Sequence, residues 1–370
     1  MNETQRGLIE RIDNIMEINT KDIQNTVSIS GVVGSYKIEK REGKMMWETK
    51  DLKKGDPVTQ YVGYITVQTG ENQFATVNVQ KNANYYEGQL DFTSQALEDM
   101  ANEKVATYYT TKDVKKTPVI SIYGRRNADV KIVDNYYVSN GELHENIRVD
   151  LGFGSISLKE PTDEPQFRNQ FNITGVVQRI DPEVDKDGEE TGRALLKLLI
   201  PYTYGSKDNQ VIRCMKLDVV AGVCVDEEGP YDLGQMILEA IDEVEGYSWS
   251  FVGELHGFYD EEVKQEEPQE RRGFGRRATV QTNRQRKFEY RLVGLDILQD
   301  GEAFSEEDIN EALQAREAHI AEMYKRDEEK QQQPQQPAGR GSFASARQQA
   351  APVQQEAPQQ QGRVRQRNFR

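Results

Sequence analysis

At 370 residues the chain is long enough for two domains, but a hydrophobic share of 36% and a mean hydropathy of -0.79 are too low for a packed core throughout. No apolar run approaches the roughly 20 residues that span a bilayer, the start MNETQRGLIERID lacks a signal-peptide core, and Cys214 and Cys224 are too few for a disulfide framework, so the expectation is a cytoplasmic protein without membrane, metal or cofactor. The net charge of -15 is uneven: residues 331–370 carry six arginines and one acid (Glu356), a balance of +5 that leaves -20 on residues 1–330. An acidic body of this kind repels polyanions in general yet retains room for a local cationic track.

In chain order, residues 1–24 form an N-terminal segment read as a short amphipathic helix, with Leu8, Ile12, Ile15 and Met16 near one face. A β-rich unit over 25–160 follows. It opens with Val27-Ser28-Ile29-Ser30-Gly31-Val32-Val33, an alternation running into a glycine where the backbone must bend. Tyr61–Val67 and Phe74–Val79 are the next strands, separated by a turn at Gly70–Gln73. A helix is predicted at 92–103, with Phe92, Ala96, Leu97 and Met100 inward. A strand at Val119–Gly124 and β-prone alternation over 135–158, ending in Ile147–Leu158, complete the unit.

The opening string returns as Phe171-Asn172-Ile173-Thr174-Gly175-Val176-Val177, and a second unit over 168–300 repeats the order. Asp187-Gly188 marks a turn, Ala194–Tyr204 and Gln210–Val220 are strands, and a helix is predicted at 232–244. Trp249–Gly253 answers Ile120–Gly124, and Phe288–Leu298 closes the unit. A C-terminal helix over 304–330 is announced by Ser305 as N-cap with Glu306, Glu307 and Asp308 behind it. Residues 331–370 are a Gln/Pro/Arg-rich tail whose composition predicts disorder.

The fold class is therefore mainly β: two tandem five-stranded barrels, each with a helix between strands three and four. This order, the glycine-bent first strands and the Ser-x-x-Gly fourth strands (Ser121–Gly124, Ser250–Gly253) resemble tandem OB-fold single-stranded-DNA-binding proteins of the bacteriophage type. The resemblance covers roughly 25–300. It implies a non-enzymatic binding function in DNA replication or recombination, with single-stranded DNA or RNA and replication or recombination proteins as partners. Many such proteins end in an acidic recruiting tail. This chain ends Arg367-Asn368-Phe369-Arg370, so recruitment by that mechanism is in doubt.

Single-strand binding needs cations along the phosphates and flat rings under the bases. The densest candidate is 271–287, where Arg271, Arg272, Arg276, Arg277, Arg284, Arg286 and Lys287 occur without an acid and Phe274 sits between glycines. In the barrel reading this is the loop between strands four and five. Six acids over Asp260–Glu270 supply the competing reading, a self-neutralising linker. In the first unit Arg125 and Arg126 hold the corresponding place, with Lys112, Lys115, Lys116 and Tyr108 before the strand; an ordinary solvated hairpin is the competing reading. Tyr64 and Tyr202 lie on strands expected to face ligand, although strand tyrosines are more often packing residues.

Enzymatic motifs are lacking in the sequence. His144, His256 and His319 fall in no nucleophile or metal pattern, and Gly152-Phe153-Gly154 lacks the lysine of a phosphate loop. Glu183-x-Asp185-x-Asp187-Gly188 has Ala194 where a calcium loop needs its twelfth-position glutamate. Two functions remain: sequence-tolerant single-strand binding, or a structural or adapter role in a virion or replisome that uses the barrels against other proteins.

Overall fold

The computed structural model describes residues 24–332 apart from 46–47, 49–51, 87, 128, 186–187, 205–210, 227–228, 264–281 and 299–303. The predicted N-terminal helix and, beyond Gln332, the tail lie outside the described residues.

The repeated string makes two long, bent strands, β1 (Asn25–Lys44) and β10 (Arg168–Val184). Each carries a bulge at the same place, between Val33 and Ser35 in β1 and between Val177 and Arg179 in β10. A bulge bends and twists its strand, which lets one strand serve both walls of a small barrel. The repeated glycine answers a second need. A Cβ on Gly31 would lie 2.0 Å from the Gln68 carbonyl oxygen, and one on Gly175 would lie 2.8 Å from Ile200 Cγ1 and 3.0 Å from the Leu199 oxygen.

In the first barrel β1 pairs with β2 (Pro57–Gly70), and β2 with β3 (Gln73–Asn82). Short β4 (Tyr85–Tyr86) and β5 (Gln89–Leu90) lead into helix α1 (Phe92–Ala101), then α2 (Tyr108–Thr111) and a 3-10 turn at Val114–Lys116. β6 (Val119–Tyr123) returns to β1, and β7 (Lys131–Ser139), β8 (Glu142–Asp150) and β9 (Ser155–Lys159) follow. β8 runs parallel to β3 at Val77↔Val149, whereas β9 pairs with β6, so the ring closes through a fifth strand broken at 151–154. The sequence reading expected one strand here. The break and the extra β7–β8 hairpin correct that expectation in detail, within a mainly β, barrel-forming fold.

The second barrel keeps an unbroken fifth strand. β10 pairs with β11 (Glu190–Tyr204), β11 with β12 (Val211–Ala221), and β12 runs parallel to β16 (Thr282–Ile297), which pairs with β15 (Ser248–Val263), itself on β10. A hairpin of β13 (Val223–Asp226) and β14 (Gly229–Asp232) precedes the helix, as β4–β5 does in the first barrel. The helix predicted over 232–244 is two pieces, α3 (Leu233–Glu239) and α4 (Ile241–Val244). Both barrel helices start from an aspartate cap: Asp91 accepts from the Ser94 N–H at 2.7 Å and Asp232 from that of Gln235 at 3.0 Å.

α1 buries Leu97 and Met100 among Ile29, Ile65, Val77, Ile120 and Ile156. Each such side chain contributes roughly 1.5–3 kcal/mol when withdrawn from water. Leu233, Ile237, Trp249 and Phe251 occupy the equivalent core, with the Trp249 indole N–H donating to the Val244 carbonyl at 3.1 Å.

Among the described residues, several contacts join the barrels. β1 and β10 pair antiparallel from Asn25↔Ile173 to Ser30↔Arg168, so the two copies of the repeated string lie against each other. Phe74 of β3 meets Gly257 of β15, where a Cβ would lie 2.5 Å from the Phe74 ring. Finally α5 (Glu306–Gln332) lies against β7 and β12. Its start is a reciprocal cap: Ser305 Oγ accepts from the Asp308 N–H at 3.1 Å, and Asp308 accepts from the Ser305 N–H at 2.9 Å. Among the described residues no helix is long and apolar enough to cross a membrane.

Candidate nucleic-acid interface

The β15–β16 ribbon continues past the second barrel and passes beside the first. Alternation along β16 puts Phe288 and Tyr290 on one face and Glu289 and Arg291 on the other, while Lys287, beside Phe288, also lines the space in front of the aromatic face. The aromatic face looks across at the outer side of β3 and the end of β8. Between them lies a cleft of about 230 Å3 with Thr76, Asn78 and Arg148 on the first-barrel wall and Lys287, Phe288 and Tyr290 on the second.

Phe288 is 37% exposed, and its ring meets Tyr290 edge-on at 5.2 Å between centroids. Tyr290 is buried and its far side packs edge-on against Phe171 at 5.9 Å. Its hydroxyl has no hydrogen-bond partner, and burial pushes the phenol well above its ordinary pKa, which keeps the proton on as a donor. Asn78 Nδ2 makes a long 3.4 Å bond to the Val149 carbonyl. Arg148 is held by Asp150 at 2.8 Å, which fixes the guanidinium at the rim of the cleft. The arrangement offers a flat ring, an amide and two cationic side chains, the kinds of group that a single-stranded nucleic acid uses.

Of the residues singled out from sequence, Lys287 lines this cleft, and Tyr64, 38% exposed on β2, stands directly opposite Asn78 in the β2–β3 register. Tyr61, on the opposite face, is core and donates to Glu98 at 2.9 Å. Tyr202 is half-buried; its hydroxyl donates to Asp134 of the first barrel, which makes it a strut between the barrels. Arg125 and Arg126 are exposed in the turn after β6, with both backbone N–H groups donating to Asp129 Oδ2 at 2.9 Å.

Tyr108, Lys112, Lys115 and Lys116 occupy the connection between α1 and β6 and do not line the cleft. Two of these lysines are locally paired, Lys115 with Asp163 at 3.4 Å and Lys116 with Asp113 at 3.2 Å. Lys112 sits over the exposed ring of Tyr109, 4.1 Å from its centre. Arg271, Arg272, Phe274, Arg276 and Arg277 lie outside the described residues, between the ends of β15 and β16. Arg284 and Arg286 lie on β16 opposite Glu261 and Tyr259 in the backbone register. The same register sets Asp260 opposite Gln285 and Glu262 opposite Asn283.

Sequence reasoning missed Asn78, Arg148, Phe288 and Tyr290. The usable signal was Lys287-Phe288-Glu289-Tyr290-Arg291, a strict alternation of charges and rings, read only as a closing strand.

No curated protein sequence matches the chain. Among solved structures, a Replication Protein A heterotrimer bound to ssDNA aligns over 83% of this chain and 72% of that chain at 10% identity, with a TM-score of 0.18, too loose a likeness to carry an argument. The family model described as YorF matches residues 18–326, a span that includes both barrels and most of α5, and the chain therefore belongs to the YorF family.

Proposed function

We propose that the protein binds single-stranded DNA without strong sequence preference and without performing chemistry, in DNA replication or recombination in the cytoplasm. The observation that carries the reading is the cleft between the barrels, where the exposed ring of Phe288 stands among Arg148, Lys287 and Asn78. Cations there compensate phosphate charge with counterion release, and ring–base stacking contributes about 1–3 kcal/mol per base. In sequence the basic stretch 271–287 leads directly into β16, whose Lys287 and Phe288 line the cleft.

A salt-resolved titration of the full chain and of a 1–330 truncation, against single- and double-stranded oligonucleotides, tests the reading. Preference for single strands with affinity falling steeply in salt supports it. Saturating poly-dT at low salt with no change in mobility or fluorescence sinks it. The adapter reading has its own support in the acidic body and in the β13 hairpin, where Val223 and Val225 are 64% and 77% exposed. It is favoured if no strand binds.

A further inference from the structure

We infer that a single strand leaving the cleft runs along the rim of the first barrel, where Arg125 and Arg126 take its phosphates and the Phe153 ring stacks a base. This rests on the single-strand reading above and adds to it a second contact point and a direction for the strand.

Two turns make this rim, and they hold each other. The turn after β6 is closed by Asp129, whose Oδ2 accepts from the Arg125 and Arg126 backbone N–H groups at 2.9 Å each. The turn that breaks the fifth strand is closed by the Gly154 N–H, which donates to the Leu151 carbonyl at 2.7 Å and to the Asp129 carbonyl at 3.1 Å. Asp129 thus belongs to both turns. The seam between them is tight: a Cβ on Gly124 would lie 2.7 Å from Asp129 Cβ, and one on Gly154 would lie 2.2 Å from Val130 Cγ2. From β3, Lys81 Nζ donates to the Gly154 carbonyl at 2.9 Å. The backbone that carries both arginines and Phe153 is therefore set before a ligand arrives, which lowers the ordering cost of binding.

The side chains on these turns suit a polyanion with flat bases. Arg125 and Arg126 are exposed, and among the described residues no acid pairs with either guanidinium. Arg148, Arg179, Arg193 and Arg316, by contrast, are each tied to a carboxylate. Phe153 is 69% exposed between two glycines. Phe92, 50% exposed, stands at the start of α1, where the next residue, Thr93, accepts through Oγ1 from the Ile156 N–H at 3.1 Å. Rings and unpaired arginines at one end of a body that carries -20 over residues 1–330 form a local cationic and aromatic track. An apolar partner would cover the rings and leave both arginines unanswered.

The rim also continues the cleft. β8 supplies Arg148 and Val149 to the cleft wall, and Phe153 follows Val149 along the chain by no more than about 14 Å. A strand lying in the cleft reaches that far well within the roughly 4–16 nucleotides that one OB-type barrel covers.

The test uses the full chain, oligo-dT and an all-abasic strand of equal length. Phe153→Ala is expected to weaken oligo-dT binding about five- to 150-fold and to leave the affinity for the abasic strand unchanged. Phe153→Leu, which keeps an apolar side chain without a flat face, is expected to lose nearly as much on oligo-dT. Replacing Arg125 and Arg126 together by alanine is expected to lower both affinities and reduce the slope of log affinity against log salt by about 1.4. A folding defect does not mimic this set, since it would lower both affinities in the Phe153 variants as well. A Phe153→Ala loss equal on the two strands, or a salt slope unmoved by the arginine pair, overturns the rim and leaves the single-strand reading standing. Unchanged binding of both strands by all three variants also overturns it and assigns the exposed ring and arginines to a protein partner. Failure of the unsubstituted chain to bind any strand overturns both readings.

Discussion

Arg316 Nη1 lies 2.7 Å from Asp134 Oδ2, with the two side chains only 4% and 3% exposed. The same guanidinium donates to the Cys214 carbonyl at 3.0 Å and to Glu145 at 2.5 Å, and sits 4.5 Å over the Tyr136 ring. One side chain of α5 thus ties β7 and β8 of the first barrel to β12 of the second, and Tyr202 of β11 adds its hydroxyl to the same aspartate. The docking that shapes the cleft is therefore reinforced from the far end of the chain.

Removing one partner of a buried pair leaves the other charge uncompensated, which costs about 3–5 kcal/mol. Arg316→Ala is expected to lower unfolding stability by about that amount, read from urea denaturation. The paired replacement Arg316→Met with Asp134→Leu is expected to recover much of the loss, since it removes both charges at once. If Arg316→Ala costs under about 1 kcal/mol, the ion pair is no brace.

His319 on α5 gives this joint a pH dependence. Burial, with Arg213 beside it at 3.4 Å, holds the imidazole below its ordinary 6.5, and Arg326 adds to the effect; Glu322 and Asp134 pull the other way. The folded protein therefore favours neutral His319, while the unfolded chain takes up a proton near 6.5. Stability from the neutral ring is complete above 6.5 and is lost as pH falls through the lower folded value. Denaturation midpoints are expected to drop between about pH 7 and pH 5. His319→Gln should flatten part of that slope. Part should remain, because His256 is likewise held low, first by burial and then by Arg291.

The duplication was legible because the bend it encodes is local. Gly31 and Gly175 each sit where the next strand presses close, and a bulge follows each two residues later. The aspartate caps at 91 and 232 are equally local and went unread. What sequence could not display was which strand edges remain open after two rings close. The pairing of Val27 with Phe171 depends on both barrels existing first, and no periodicity in either copy encodes it. Tyr202 and Phe288 show the same limit from opposite sides. Both are strand aromatics beside polar residues, and only the second barrel's docking decides that one becomes a strut and the other a cleft wall.

The two repeated glycines should not tolerate substitution equally. At Gly31 an added Cβ meets a backbone oxygen at 2.0 Å, and relief requires moving β2; at Gly175 the nearest atom is a side-chain carbon at 2.8 Å that can rotate away. Overpacking typically costs about 1–3 kcal/mol. Gly31→Ala is expected at or above the top of that range and Gly175→Ala near the bottom, measured by urea denaturation of each. Equal losses would mean that the bend, not the close approach, is what the glycine supplies.

The arginines of the 271–277 stretch are the last group whose role can be separated by measurement. Each phosphate contact on a single strand contributes about -0.7 to the slope of log affinity against log salt. If Arg271, Arg272, Arg276 and Arg277 each hold a phosphate, replacing all four by alanine should reduce the slope by about 3 while leaving the denaturation midpoint unchanged. The midpoint matters because it separates loss of contact from loss of fold. Six acids over Asp260–Glu270 adjoin these arginines in sequence, and Glu261 lies opposite Arg284 in the backbone register, so intramolecular neutralisation is the competing outcome. Neutralised arginines release few counterions, and the slope would then barely move on substitution. In that outcome Arg125→Ala and Arg126→Ala become the informative variants, since both residues are exposed at the corresponding loop of the first barrel. A slope that survives all six substitutions would leave Arg148 and Lys287 in the cleft as the cations carrying the affinity.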